Sequence, residues 1–116
     1  MTSNQTINNI KKVIAISEKA VKDCIPERSV NNELKIFLES LSDIEAERIL
    51  EAYYCGKQGG LAGWDLNKVL FSDNSSFGVK GKDTAITHFV ETKSAARNRI
   101  RCLKDFLTLC EQAGIK

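Results

Sequence analysis

Residues 31–54, NNELKIFLESLSDIEAERILEAYY, decide the fold, because they carry two helical patterns with a helix start signal between them. In the first half, apolar residues recur at i, i+3, i+4 and i+7, namely Leu34, Phe37, Leu38 and Leu41. This spacing is typical of an amphipathic helix. Asn31 or Asn32 supplies a residue of the type that caps a helix N-terminus. We therefore predict a short helix that buries one face.

The second half opens with a capping box, Ser42-Asp43-Ile44-Glu45. In such a box the serine hydroxyl accepts a hydrogen bond from the amide three residues on, and the glutamate carboxylate accepts one from the serine amide. The helical pattern that follows predicts that a set of apolar residues faces the core: Ile44, Ile49, Leu50, Tyr53 and Tyr54. It leaves a charged set mostly in solvent: Glu45, Glu47, Arg48 and Glu51. With Gly56 as a C-terminal cap, the two helices form an αα-hairpin or corner.

Upstream, residues 7–25 predict a helix that ends before Pro26, since a proline disfavours helical geometry at the residue before it. Its seam has a 3-4-3-4-3 spacing and comprises Ile7, Ile10, Ile14, Ser17, Val21 and Cys24. Residues 26–31 then read as a connection. The seam is too short for a coiled coil, so we expect it to pack against the rest of the domain.

Downstream, residues 56–63, GKQGGLAG, predict a loop, and residues 64–71 predict two helical turns. Residues 72–83 read as a second loop. From Thr84 the pattern is helical almost to the end. The apolar positions change from one side of the helix to another along this segment, which indicates a bend or break near Lys93 and Ser94. Gly114 is the predicted closing glycine. The stripe of this segment contains Phe89, Ala96, Ile100, Leu103, Leu107 and Cys110. No strand-like alternation occurs, so we predict an all-α single domain over residues 1–116, a compact bundle of about five helices.

The amino-acid composition does not point to a particular function. The chain has 116 residues with 17 Lys and Arg against 15 Asp and Glu, a net charge of +2 that supplies no protein-wide field for nucleic acid or membrane binding. Four cysteines without a C-x-x-C pair do not suggest a zinc site, and Cys24 and Cys110 sit at predicted apolar positions. Neither a secretory signal nor a membrane-spanning run is evident, so we expect a cytoplasmic protein with reduced thiols.

The charge is nevertheless uneven. Residues 1–58 carry eight basic and nine acidic side chains, a net of −1, whereas residues 59–116 carry nine and six, a net of +3. The excess is concentrated in a run without an intervening acid, which comprises Lys93, Arg97, Arg99, Arg101 and Lys104. Four of these residues share one predicted helix face: Lys93, Arg97, Arg101 and Lys104. This face is either a surface that contacts phosphates or an acidic partner, or a solvated face with internal pairs such as Arg101 with Asp105.

Catalytic and metal-binding constellations are weakly supported. His88 is the only histidine, and Glu47 and Glu51 read as exposed acids one helical turn apart. Gly56-Lys57-Gln58-Gly59 matches a G-x-x-G turn but lacks the surrounding strands, and it is not a phosphate-binding P-loop. We expect a surface or half-buried histidine, no cofactor, no metal and no enzymatic activity.

The sequence therefore favours a small cytoplasmic protein-interaction module, a regulator or inhibitor that acts by stoichiometric binding to an unidentified protein. Its predicted contact residues lie in the glycine loop, at the tryptophan and on the basic run: Lys57, Trp64, Lys93, Arg97, Arg101 and Lys104. The alternative is a nucleic-acid-binding accessory protein that uses the basic helix at 93–104. An enzyme, the third hypothesis, would require Glu47, Glu51 or His88 to meet in one pocket.

Residues 33–64 resemble an uncharacterised family of small bacterial helical proteins. The family pattern is L-x-x-F-[IL]-x-x-L-x-x-x-E, followed by an apolar helix, a G-R dipeptide and a downstream Trp. Leu34, Phe37, Leu38, Leu41 and Glu45 fit the first part. Gly56-Lys57 stands where G-R is expected, and Trp64 follows. Residues 84–114 are similar to the family's C-terminal helical segment. The resemblance implies an all-α fold and a bacterial protein, and it implies no activity.

Overall fold

The computed structural model describes residues 2–57, 81–91 and 96–114, which form five helices and no strand. They are α1 (Thr2–Lys22), α2 (Glu27–Glu39), α3 (Asp43–Lys57), α4 (Gly81–Ile86, continued by a π-helical turn over Thr87–Glu91) and α5 (Ala96–Gln112). The predicted all-α class is confirmed. The predicted helix over 64–71, the break at Lys93 and Ser94, and the loops, apart from residues 56–57 and 81–83, lie outside the described residues.

Helix α3 is the centre of the fold, since α1, α4 and α5 all pack against it. As a consequence its middle has almost no solvent face. Ile49, Leu50 and Ala52 are fully buried, and the charged residues Arg48 and Glu51 are only 6% and 2% exposed. The prediction that Arg48 and Glu51 point into solvent is wrong. The charges in this helix gave it the appearance of a surface element, whereas three neighbouring helices enclose it.

The start of α3 follows the predicted capping box. The Glu45 amide donates to the Ser42 hydroxyl at 3.3 Å, and the Ser42 amide donates to Glu45 Oε1 at 3.0 Å. The bond from the Ser42 amide, supported by the Ser42 hydroxyl and the Asn9 side chain, holds the pKa of the Glu45 carboxyl below its ordinary value. The capping box is confirmed, and through Asn9 it also ties α3 to α1.

The end of α3 differs from the prediction, because Gly56 lies inside the helix and not after it. Its backbone packs directly on α5: a Cβ on Gly56 would overlap the carbonyl oxygen of Cys102 and would lie 3.1 Å from the Phe106 amide nitrogen. The role of Gly56 as a C-terminal cap is therefore wrong. Glycine is needed at this position so that two helix backbones can approach closely.

Helix α1 ends three residues earlier than predicted. The residues of its predicted seam become more exposed toward the C-terminal end of the helix. Ile10 and Ser17 are fully buried, but Val21 is 39% exposed and Cys24 lies beyond the helix with a φ of 56°. A seam of period 3.5 rotates on a straight helix of 3.6 residues per turn, so its last positions leave the core. The predicted burial of Cys24 is wrong.

Helix α2 begins at Glu27, directly after Pro26, so the predicted connection over residues 26–31 and the predicted N-cap at Asn31 or Asn32 are wrong. Val30 is buried in the added first turn, which explains why the helix starts earlier. Asn31 has a different role, because its side-chain oxygen accepts a hydrogen bond from Arg99 of α5.

Helix α4 is fixed at the junction of α2 and α3 by Lys82. Its backbone amide donates to Asp43 Oδ1 at 3.1 Å, and its ammonium group donates to the Glu39 carbonyl at 3.1 Å. A π-helical turn follows, and Ile86 and Phe89, three residues apart, are both buried.

Helix α5 buries a face centred on Leu103 and Phe106, and the predicted members Ile100 and Leu107 are only half-buried. Gly114 follows the helix with a φ of 76°, which confirms its predicted place after the C-terminus. No helix in the described ranges combines the length and the apolar character needed to cross a membrane.

Candidate functional site

The outer face of α5 carries three exposed basic residues, Arg97, Arg101 and Lys104, which we call the basic face. They are spaced four and three residues apart, so each lies about one helical turn from the next and the set spans roughly 10 Å at 1.5 Å per residue. Lys57, the last residue of α3, is also exposed. Trp64 and Lys93 lie outside the described residues.

Arg99 belongs to the same basic run but not to the basic face. Its side chain is 1% exposed, and it donates to the Ser17 hydroxyl at 3.2 Å, to the Phe89 carbonyl at 3.0 Å and to the Asn31 side chain at 3.2 Å. Burial lowers the pKa of its guanidinium, an effect that the negative charge of Glu27 opposes. At 100° per residue, Arg99 points about 200° away from Arg97 and therefore into the core.

Helical spacing separates Arg99 from the other cations of the run, but it does not show that this arginine is structural. A run of cations suggests a solvated face, and burial of Arg99 depends on acceptors from α1, α2 and the π-helical turn that are distant in sequence. Its guanidinium presents several donors in a fixed plane, which suits a site where three elements converge.

A side chain of α2 caps the first turn of α5. Glu27 Oε1 accepts a hydrogen bond from the Ala96 amide at 3.0 Å. Such a bond satisfies one of the free amides at a helix N-terminus and places a negative charge at the positive end of the helix dipole. Because Arg97 follows directly, its position on the basic face is set by this contact between α2 and α5.

Two of the three cations on the basic face have no counter-ion among the described residues. Within the described part of the chain, neither Arg97 nor Arg101 forms an ion pair, and the predicted pair between Arg101 and Asp105 does not form. Arg101 is close enough to Tyr53 for its charge to oppose the rise in the pKa of that phenol, which burial causes. The basic face thus presents two guanidinium groups that no described carboxylate neutralises.

Lys104, the third cation, is bound to Glu18 of α1. Glu18 Oε2 lies 3.2 Å from Lys104 Nζ and also 3.2 Å from Lys22 Nζ. The hydrogen bonds from the two lysines, that from Lys104 first, keep the pKa of the Glu18 carboxyl below its ordinary value. Sequence patterns did not reveal this cluster, because Glu18 and Lys104 are 86 positions apart.

A second polar contact joins α3 to the π-helical turn. The Tyr54 hydroxyl oxygen and His88 Nδ1 lie 2.7 Å apart, and the two rings meet edge to face. His88 is half-buried, in agreement with the prediction. Glu51 is buried and Glu47 half-buried on α3, and no group of three potential metal ligands exists among the described side chains.

The buried cysteines are poorly suited to nucleophilic chemistry. Cys55, Cys102 and Cys110 are buried, as predicted for Cys110. Burial raises the pKa of Cys55 and of Cys110 to about 11, so these thiols stay protonated near neutral pH. Since the thiolate is the reactive form, both residues act as small apolar side chains of the core.

Comparisons with known proteins find no similar protein. The scan against protein-family models finds no match. Searches of curated proteins and of solved structures also find none. The resemblance of residues 33–64 to a small bacterial helical family stays a prediction, and the site must be interpreted from its own chemistry.

Proposed function

We propose that this protein is a non-enzymatic, cytoplasmic interaction module that binds an acidic protein partner stoichiometrically through the basic face of α5. The observation that carries the proposal is the pair Arg97 and Arg101: both are exposed, they lie one turn apart, and neither forms an ion pair within the described residues. A guanidinium binds a carboxylate through two parallel hydrogen bonds, which gives both affinity and orientation.

Charge density favours a protein over a nucleic acid. The exposed side chains of α5 include the cations Arg97, Arg101 and Lys104, but also the acids Asp105 and Glu111, so the helix surface has a net charge of only +1 (3 − 2). Nucleic-acid affinity depends on many phosphate contacts, about 6–10 in proteins with strong salt dependence. A small set of cations followed by acids on the same helix suits a polar protein interface better, because arginine is enriched there.

The test compares two double variants of equal charge change. In Arg97→Glu/Arg101→Glu the basic face is reversed. In Lys11→Glu/Lys35→Glu two other exposed cations, on α1 and α2, are reversed. We expect a protein captured at physiological salt by the immobilised wild-type chain to be recovered in a one-to-one complex by the lysine variant and to be lost with the arginine variant.

Two results would contradict the proposal. Equal recovery by both variants would mean that the basic face is not the contact surface. Retention of duplex DNA or of RNA by the wild type, lost in the arginine variant with a steep salt dependence, would favour the nucleic-acid alternative.

A further inference from the structure

Glu18 holds a position where a partner's acidic group would be expected to bind. Its carboxylate is shared between Lys104 and Lys22, whose side chains are 55% and 69% exposed, while Glu18 itself is 23% exposed. Two ammonium groups thus share one carboxylate oxygen. The cluster has a net charge of +1 and can accept a further anion.

The contact between Glu18 and Lys104 is easily exchanged. An exposed ion pair contributes little to stability, because water solvates both groups well when they separate. Lys104 has a flexible stem with three ammonium donors, so it can turn from Glu18 to a new carboxylate while Lys22 stays bound to Glu18. Glu18 therefore competes with any acidic group that approaches Lys104.

We infer that the partner of the basic face is an acidic helix and that Glu18 limits its affinity by competing for Lys104. This inference rests on the proposed function. The cations at 97, 101 and 104 repeat at i, i+4 and i+7, so an antiparallel helix with carboxylates at i, i+3 and i+7 presents one acid to each cation. Glu18 adds a repulsive charge at one end of this surface and so selects for partners that supply all three contacts.

The experiment measures binding of a fluorescent 16-residue, alanine-based peptide that carries glutamates at i, i+3 and i+7. The control peptide has the same composition with its glutamates at i, i+2 and i+5, so that the acids no longer share one helix face. Fluorescence anisotropy is recorded with the full chain as wild type, Glu18→Gln, Glu18→Gln/Lys104→Ala and Arg97→Glu/Arg101→Glu. Circular dichroism and a thermal melt of each variant verify that it is folded.

We expect Glu18→Gln to bind the first peptide about two- to fivefold more tightly than the wild type, since it removes a like charge about 4–8 Å from the bound carboxylate. The gain should shrink at high salt and disappear when Lys104 is also replaced. The control peptide should bind more weakly to every variant, and the arginine variant should lose binding.

Different failures have different meanings. If Glu18→Gln binds no more tightly than the wild type while Arg97→Glu/Arg101→Glu loses binding, the competition by Glu18 is overturned and the proposed function stands. Equal binding of the two peptides, or tighter binding of a DNA duplex, overturns the acidic-helix partner. If the arginine variant binds as well as the wild type, the proposed contact surface itself is wrong.

Discussion

Replacement of Gly56 by alanine is the most direct test of how α3 and α5 pack. The added Cβ would overlap the Cys102 carbonyl oxygen and lie 2.8 Å from the Cys102 carbonyl carbon, and both atoms belong to the backbone. Because carbon atoms pack best at about 3.5–4.0 Å, the two helices would have to separate by roughly 1 Å, which weakens the contacts on both sides. A flexible side chain could move aside, but a helix backbone cannot do so alone.

The expected loss follows from two opposing contributions. Alanine in a helix is favoured over glycine by about 1 kcal/mol. Overpacking of a well-filled interface typically costs about 1–3 kcal/mol, and a clash with backbone belongs at or above the upper end. We therefore expect Gly56→Ala to lower the free energy of unfolding by about 2–3 kcal/mol in net terms, which corresponds to a midpoint temperature lower by roughly 10 °C for a chain of this size.

The assay is urea denaturation followed by circular dichroism, with Lys57→Ala as the control. Lys57 is the neighbouring helical residue and is exposed, so its replacement should change the unfolding free energy by no more than about 0.5 kcal/mol. A Gly56→Ala variant as stable as the wild type, or more stable, would refute the close contact. A loss of only about 1 kcal/mol with little effect on packing would instead match a glycine cap at the helix end.

Two further predictions concern Arg99 and Glu45. Arg99→Met should lower the free energy of unfolding by about 3 kcal/mol, because it leaves buried acceptors on three elements without their donor. The control, Arg97→Met, should change the free energy of unfolding by less than about 0.5 kcal/mol. Equal urea midpoints for the two variants would contradict the burial of Arg99. The folded-state pKa of Glu45 is depressed, so its capping bonds stabilise the fold above the ordinary value of 4.5 and the contribution is lost as the pH falls below it. Urea unfolding at pH 7 and pH 3 should therefore show a smaller acid-induced loss for Glu45→Gln than for the wild type, and identical pH dependence would disprove the assignment.

Local patterns predicted those features that depend on neighbours in sequence. The capping box at Ser42 and the glycine at position 114 involve contacts within four residues, and the sequence was sufficient for both. The environment of α3 was not predictable in this way, since the burial of Arg48 and Glu51 depends on helices far apart in the chain. Gly56 was misread for the same reason: a glycine near a helix end usually marks a cap, and its actual neighbour, Cys102, is 46 positions away.

The basic face was only partly predictable. Helical periodicity placed Arg97, Arg101 and Lys104 together, and the structure confirms that they are exposed on one side of α5. The same periodicity separated Arg99 from them, since it lies on the opposite side of the helix. Its burial was not predicted, because the acceptors of its hydrogen bonds lie on α1, α2 and the π-helical turn. The counter-ion Glu18 could not be found at all without the packing of α1 against α5.

The buried arginine gives the basic face its fixed orientation. A helix held only by apolar contacts can rotate by small amounts at little cost, but Arg99 donates directional hydrogen bonds to three elements, and Gly56 seats the backbone of α5 against α3. Rotation of α5 would break both contacts at once. Arg97 and Arg101 are therefore presented to solvent at a constant angle, and a partner does not have to spend binding energy on ordering the helix. The basic run therefore has a buried member that stabilises the fold and exposed members that serve the proposed function. A variant at Arg99 that still folds should weaken partner binding, although it leaves the contact surface unchanged.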